Sequence, residues 1–279
     1  MKQIEQFLII SLLFILNACV GTEKSTASPS VILIADAGDD QRVLINETIT
    51  IRGEGEATDK TELSYLWEKG SETLATTATF SYTPTRLGID NLTLIVTHNS
   101  GAIISDTMKI VVIDSNVLST IPMLSQTKID TYLVAMNKAR GKQQNCGTKG
   151  AFSATTALLW SEKLYKSSYE HTQDLVSSQT FSHFGSGRAS DWTGTVLGKS
   201  SVLDERIETY NYKWKTIGEN IGAGTLIDTA EKMVDKWLKS DNHCANLMNP
   251  NFTEVGMVLM KDESSLYTHY WTQNFGTPR

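Results

Sequence analysis

The stretch SDNHCANLMNP, Ser240 to Pro250, sets His243 directly beside Cys244, in a chain with only five histidines and three cysteines. Two other short pieces carry related chemistry: FSHFG around His183 and IGENIGAG around Glu219. Two imidazoles and a carboxylate from distant segments are the donors of a catalytic-type Zn2+ site with one position left open. The same three groups could serve a cation-assisted hydrolase, with His183 and His243 as ligands and Glu219 as general base. They could equally form a hydrogen-bonded cluster that only holds a loop in place. Spacing alone does not choose among these, because there is no HExxH. Other catalytic patterns are missing: no GxSxG elbow, no Walker A loop, and a GAG at Gly222 to Gly224 that lacks the third glycine of GxGxxG. Ser240 precedes His243 by one helical turn but reads as a serine at a helix C-terminus, not as a nucleophile.

The elements that must carry these residues are legible from Lys128 onward. IDTYLVAMNKAR puts Ile129, Tyr132, Leu133 and Met136 on one helical face, and ATTALLWSEKLYKSSYEHTQDLV does so with Leu158, Leu164, Tyr165, His171 and Leu175. His171, on that apolar face, reads as a core residue, and His269, between strand residues, receives no role. Asp228 with Glu231 has capping-box spacing and predicts a third helix, with Ala230, Met233, Val234, Trp237 and Leu238 inward and an end near Ser240. The small residues around Glu219 predict a tight backbone turn there, with Asn220 able to bond neighbouring backbone groups. VGMVLM and YWTQNFG read as strands, so residues 128–279 form an α+β unit. Upstream, residues 31–114 run as short period-two segments (TITIRG, LSYLWEK, TFSYTP, LTLIVTHNSG, TMKIVVID) between turn residues. These predict an all-β sandwich with Ile49, Leu66, Trp67, Leu94, Val96 and Val111 as core. Residues 115–127 are the linker.

The amino terminus is of a different kind. Lys2 precedes the apolar run FLIISLLFIL, which closes on Asn17, Ala18 and Cys19. The run is too short to span a bilayer and fits a secretory signal core. LNAC resembles the bacterial lipobox, which implies a signal peptide over 1–18, lipid on Cys19, a tether over 19–30 and attachment to a membrane. That leaves Cys146 and Cys244 as an even pair in an exported domain, and so predicts one disulfide between them. A net charge of −6 without a Lys/Arg run excludes a nucleic-acid partner.

Two resemblances follow from these residues. ADAGDDQRVLINETITIRGEG, LSYLWEK and LGIDNLTLIVTHNSGAIISDTMKIVV together resemble a PKD-type immunoglobulin-like domain, which implies an extracellular spacer without catalysis. His98 stands where an aspartate is usual, and Asp36, Asp39 and Asp40 read as a solvated loop face. FSHFG, IGENIGAG, SDNHCANLMNP and THYWTQNFG, in that order, resemble the bacterial branch of the CAP (or SCP) superfamily, with support from MNKAR, LLWSEKL, ERIETYNYKW and FTEVG. The resemblance implies a three-layer α-β-α sandwich and a cleft in which two histidines and two glutamates surround a cation. His183, Glu219 and His243 match three of those four. Ser240, three positions after Trp237, replaces the second glutamate, so any divalent cation (zinc above all) would be held more weakly. Few members of the superfamily are secure enzymes. The resemblance favours a cleft that binds a lipid, cell-wall or protein ligand, with the cation-assisted hydrolase and a purely structural adhesin as alternatives.

Overall fold

A computed structural model describes residues 31–114 and 120–279. The expected signal peptide, the Cys19 lipid site, the tether and part of the linker lie outside the described residues. Strands β1 (Leu33–Asp36), β2 (Gln41–Leu44), β3 (Ile49–Arg52), β4 (Glu54–Ala57), β5 (Ser64–Lys69), β6 (Glu72–Ala75), β7 (Thr79–Tyr82), β8 (Gly88–Thr97) and β9 (Ile103–Ile113) build the first unit. Its main sheet runs β2-β9-β8-β5-β6, and the pairs β1–β4 and β3–β7 complete the sandwich. The period-two pattern sets its core: Trp67, Leu92, Leu94, Val96, Met108 and Ile110 are buried together. Leu66 was expected inward, but strict alternation sends Trp67 there and leaves Leu66 half-buried. Asp36 accepts the backbone N–H of Gly38, as turn residues do, and Asp40 accepts that of Lys109 on β9. His98 is buried and bonds Asp59 and Ser100, so in this chain it fastens a turn.

The second unit is the expected three-layer sandwich. Its helices are α1 (Gln126–Arg140), α2 (Glu162–Ser178), α3 (Trp192–Leu197), α4 (Leu203–Thr209), α5 (Ala230–Trp237) and α6 (Asp241–Met248). Its strands are a short hairpin, β10 (Gln144–Asn145) with β11 (Ala151–Phe152), and a sheet of β12 (Leu159–Trp160), β13 (Trp214–Ala223), β14 (Glu254–Lys261) and β15 (His269–Pro278). The sheet order is β12-β14-β15-β13, which makes β13 an open edge. On one face Val255, Met257, Trp271 and Phe275 pack against Tyr132 and Met136 of α1, Met233 and Trp237 of α5, and Leu247 of α6. On the other lies α2, with Tyr165 against Val258 and Leu175 against Ile221 and Tyr270. Gly256 allows the closest approach, since a Cβ there would stand 2.0 Å from the Tyr165 backbone nitrogen.

Three local expectations are corrected. The helix drawn from Ala154 starts only at Glu162, because Leu159 and Trp160 pair in parallel with β14 instead. The cap of α5 is Thr229, whose hydroxyl accepts from Lys232 N, while Asp228 pairs with Lys232 Nζ. Ser240 does not close a helix but occupies the N-cap position of α6. The two units touch through Arg42 of β2, whose Nη2 lies 2.8 Å from Oε2 of Glu208 in α4.

Candidate functional site

Glu219 lies in the middle of edge strand β13, not in a turn. Its flanking glycines serve close packing: a Cβ at Gly218 would stand 2.7 Å from Cζ of Phe252, and one at Gly222 2.4 Å from Sδ of Met233. Alternation along the strand then sends Glu219 to the α2 face and Asn220 to the opposite face. Asn220 Nδ2 donates to the His243 backbone oxygen (3.1 Å) and to Oε1 of Gln273 (3.1 Å), and its Oδ1 accepts from Asn246.

His243 sits in the first turn of α6, and three anchors hold that turn. The Cys146–Cys244 disulfide joins it to the NCGTKG loop, with a Cα–Cα distance of 5.4 Å. Thr148 of the same loop donates its backbone N–H and its hydroxyl to Asp241. Asn220 supplies the third. The ring Nδ1 of His243 meets Ser240 Oγ at 2.9 Å.

His183 projects from the loop between α2 and α3 with about half of its side chain exposed. Buried Asp174 organises that loop, accepting from Ser186 N, Ser186 Oγ and Ser190 Oγ. His183 Nδ1 lies 2.8 Å from Oε1 of Glu219. The carboxylate is buried, and its other oxygen receives Nη2 of Arg206 at 2.9 Å. The same Nη2 reaches the His183 backbone oxygen (3.1 Å), and Nη1 reaches Ser201 O and Oγ. With its amide turned to suit its neighbours, Asn274 donates to Glu219 Oε2 at 3.1 Å. Beneath the carboxylate, His171 Nε2 donates to the Ser182 carbonyl (2.9 Å) and stands 3.8 Å from Glu219 Oε1. His269 is buried elsewhere, bonded to Thr225 O.

The electrostatics follow from this arrangement. Burial alone would raise the Glu219 pKa, but the Arg206 guanidinium, then His171 and His183, overcome it and hold the value at about 2. Burial pushes His171 down to about 4, so it is neutral near neutral pH. His243 is lowered by burial and then by the charge of His183, which places the two imidazoles within electrostatic reach. Thus the fold brings His183 and Glu219 into contact, while His243 bonds Ser240 and is reached by His183 only through its charge.

This set does not suit the cation that the resemblance implies. Both Glu219 oxygens are engaged, one of them by a buried positive charge. Among the described residues no group of three or more His, Cys, Asp or Glu could hold a metal ion. As a general base Glu219 would be weak, since its carboxylate is held at a pKa of about 2. Arg206, Asn274 and Asp174 were not foreseen. Arg206 lies within the ERIETYNYKW stretch, where an arginine on a short helix gives no sign of being buried.

An α-β-α sandwich with a histidine–glutamate contact at its open edge is the architecture anticipated for a CAP domain. The model of the Cysteine-rich secretory protein family (CAP) matches residues 133–275, just over half the chain, and the chain belongs to that family. It is 30% identical over 114 residues to the uncharacterized protein YkwD of Bacillus subtilis (strain 168), covering 41% of this chain and 37% of that protein. The chain spans about a third of the length of the curated relatives it matches. Among solved structures it is similar to an outer surface protein from Borrelia burgdorferi, at 16% identity, covering 56% of this chain and 97% of that one, with a TM-score of 0.41. The all-β unit is similar to the PKD domain from KIAA 1837 protein, at 20% identity, 33% and 92% coverage, and a TM-score of 0.24. Among the described residues no helix is long and apolar enough to cross a membrane.

Proposed function

We propose that this chain is an exported lipoprotein, held at a membrane through Cys19, whose CAP domain binds a ligand without transforming it. The immunoglobulin-like sandwich serves as the stalk. The observation that carries the reading is the state of Glu219: buried, ionised and bonded on both oxygens, it is a positioning group and not a base. The Cys146–Cys244 disulfide supports an oxidising destination.

Of lipid, cell-wall and protein ligands, a lipid or similar amphiphile fits the surroundings of His183 best. Phe181 and Phe184 flank it in sequence and are both exposed, at 45% and 61%. The Phe181 ring lies 5.9 Å from that of Tyr267, so the loop before β15 extends the same apolar surface. A polar atom pair beside exposed aromatic rings suits a ligand with one polar end and an apolar body. Organic extraction of the protein purified from cells, followed by mass spectrometry, is expected to yield a bound amphiphile that is depleted in a Phe184→Ser, His183→Ala variant. Extracts with the same lipid content in both proteins would remove the lipid reading. Turnover of a peptide or ester by the wild type, lost in His183→Ala, would favour the hydrolase instead, with the outward Nε2 of His183 as its base. Labelled palmitate is expected to enter the wild type in cells and not a Cys19→Ala variant.

A further inference from the structure

The fold places a full positive charge against Glu219, and that charge belongs to the chain. Arg206 arises from α4, is fully buried, and cannot swing aside without losing Ser201, because Nη1 holds both the backbone oxygen and the hydroxyl of that residue. Its Nη2 bridges Glu219 Oε2 and the backbone oxygen of His183 itself. One guanidinium therefore fixes both the carboxylate and the backbone of the histidine bonded to that carboxylate.

We infer that Arg206 takes the place of a bound cation beside Glu219: it neutralises Glu219 from within the fold, and through Glu219 it fixes the tautomer and direction of His183. An ionised carboxylate can only accept hydrogen bonds, so the nitrogen facing it must donate. Neutral His183 therefore carries its proton on Nδ1, and its Nε2 lone pair is left toward solvent. The other charged or titratable groups near this unit do not compete. His171, from α2, uses Nε2 to donate to the Ser182 carbonyl, and the buried Glu170, also from α2, is occupied by Thr193 and Tyr210. The His183–Glu219–Arg206 unit is thereby assembled without a metal, and the half-exposed His183 offers an acceptor nitrogen to a hydroxyl or N–H group of a ligand. Arg206 is a positioning residue in this scheme, since it acts on the ligand only through His183. The inference goes beyond the binding reading and holds for a catalytic cleft as well, so the ligand screen and the following test can fail separately.

The test is calorimetric zinc titration of the purified full chain beside its His183→Ala, Arg206→Met and Arg206→Met, His183→Ala variants. The wild type is expected to show no zinc heat that depends on His183. Freed of its guanidinium, Glu219 should join His183 as a donor, so that Arg206→Met binds zinc at least about tenfold more tightly than the wild type. That gain should be lost in the double variant. Wild-type zinc binding abolished by His183→Ala would overturn the inference, as would a folded Arg206→Met with no gain. If Arg206→Met does not fold, long-range 1H–15N spectra of the wild type decide. A His183 ring protonated on Nδ1 and unchanged by EDTA is expected, whereas an Nε2–H tautomer or an EDTA-dependent shift would overturn it.

Discussion

Replacing Glu219 by glutamine changes one oxygen to an amide and removes the charge, while keeping the shape. Arg206 then loses the carboxylate it contacts and keeps only the more distant charge of Glu170, its Nε already lacking a partner, and the contact with His183 Nδ1 loses its ionic character. Two routes give the cost. Breaking a buried ion pair by removing one partner typically costs about 3–5 kcal/mol. Independently, holding the Glu219 pKa at about 2 instead of 4.5, at about 1.4 kcal/mol per pH unit, corresponds to roughly 3 kcal/mol. The folded value lies below the unfolded one, so this contribution is fully present above pH 4.5 and is lost as the pH falls toward 2. Among the described residues no helix lies within 31–114, so helical circular dichroism during denaturant unfolding reports on the CAP unit. Glu219→Gln is expected to lower its stability at neutral pH by roughly 3 kcal/mol and to remove this residue's share of the acid sensitivity. A loss under about 1 kcal/mol, with the wild-type acid profile retained, would refute the buried ion pair as described.

Other outcomes follow from the same geometry. The disulfide joins residues 98 positions apart, so Cys146→Ala with Cys244→Ala is expected to cost about 4–5 kcal/mol in denaturant unfolding and to broaden the NMR signals of His243. Gly256→Ala would force α2 off the sheet, since its Cβ would stand 2.0 Å from Tyr165 N and 2.3 Å from the Leu164 carbonyl carbon; a loss of about 3 kcal/mol or more is expected in the same assay. His243 should titrate below its ordinary 6.5, because burial and then the charge of His183 disfavour its protonated form. His183→Ala should raise that value while leaving the effect of burial. Since folding lowers this pKa, acidification through it destabilises the fold, and NMR titration of the ring protons reads both effects.

Much of the fold could be read from periodicity. LTLIVT and TMKIVV announced β8 and β9, and the stripe of Met233, Val234 and Trp237 announced α5. The failures have physical causes. Leu158, Leu159 and Trp160 continue an apolar run into α2, and only pairing with β14, distant in sequence, makes the last two a strand. SDNHCANLMNP is short and poor in strong helix formers, and α6 exists because the disulfide, Thr148 and Asn220 hold it. The glycines beside Glu219 signalled a turn, whereas they make room for Phe252 and Met233 on a flat strand. His183, Glu219 and His243 were legible by motif. Arg206 was not, because an arginine on a helix is usually solvated, and nothing in local sequence reveals that the carboxylate it meets is buried.

The account turns on Glu219 being an ionised, fixed group and not a base. Side-chain carboxyl 13C NMR titration of the protein labelled at glutamate tests this most directly. The account predicts that the Glu219 signal stays that of a carboxylate from neutral pH downward until the domain unfolds, in line with a pKa of about 2. A Glu219 signal that titrates near neutral pH, as a general base would, contradicts it.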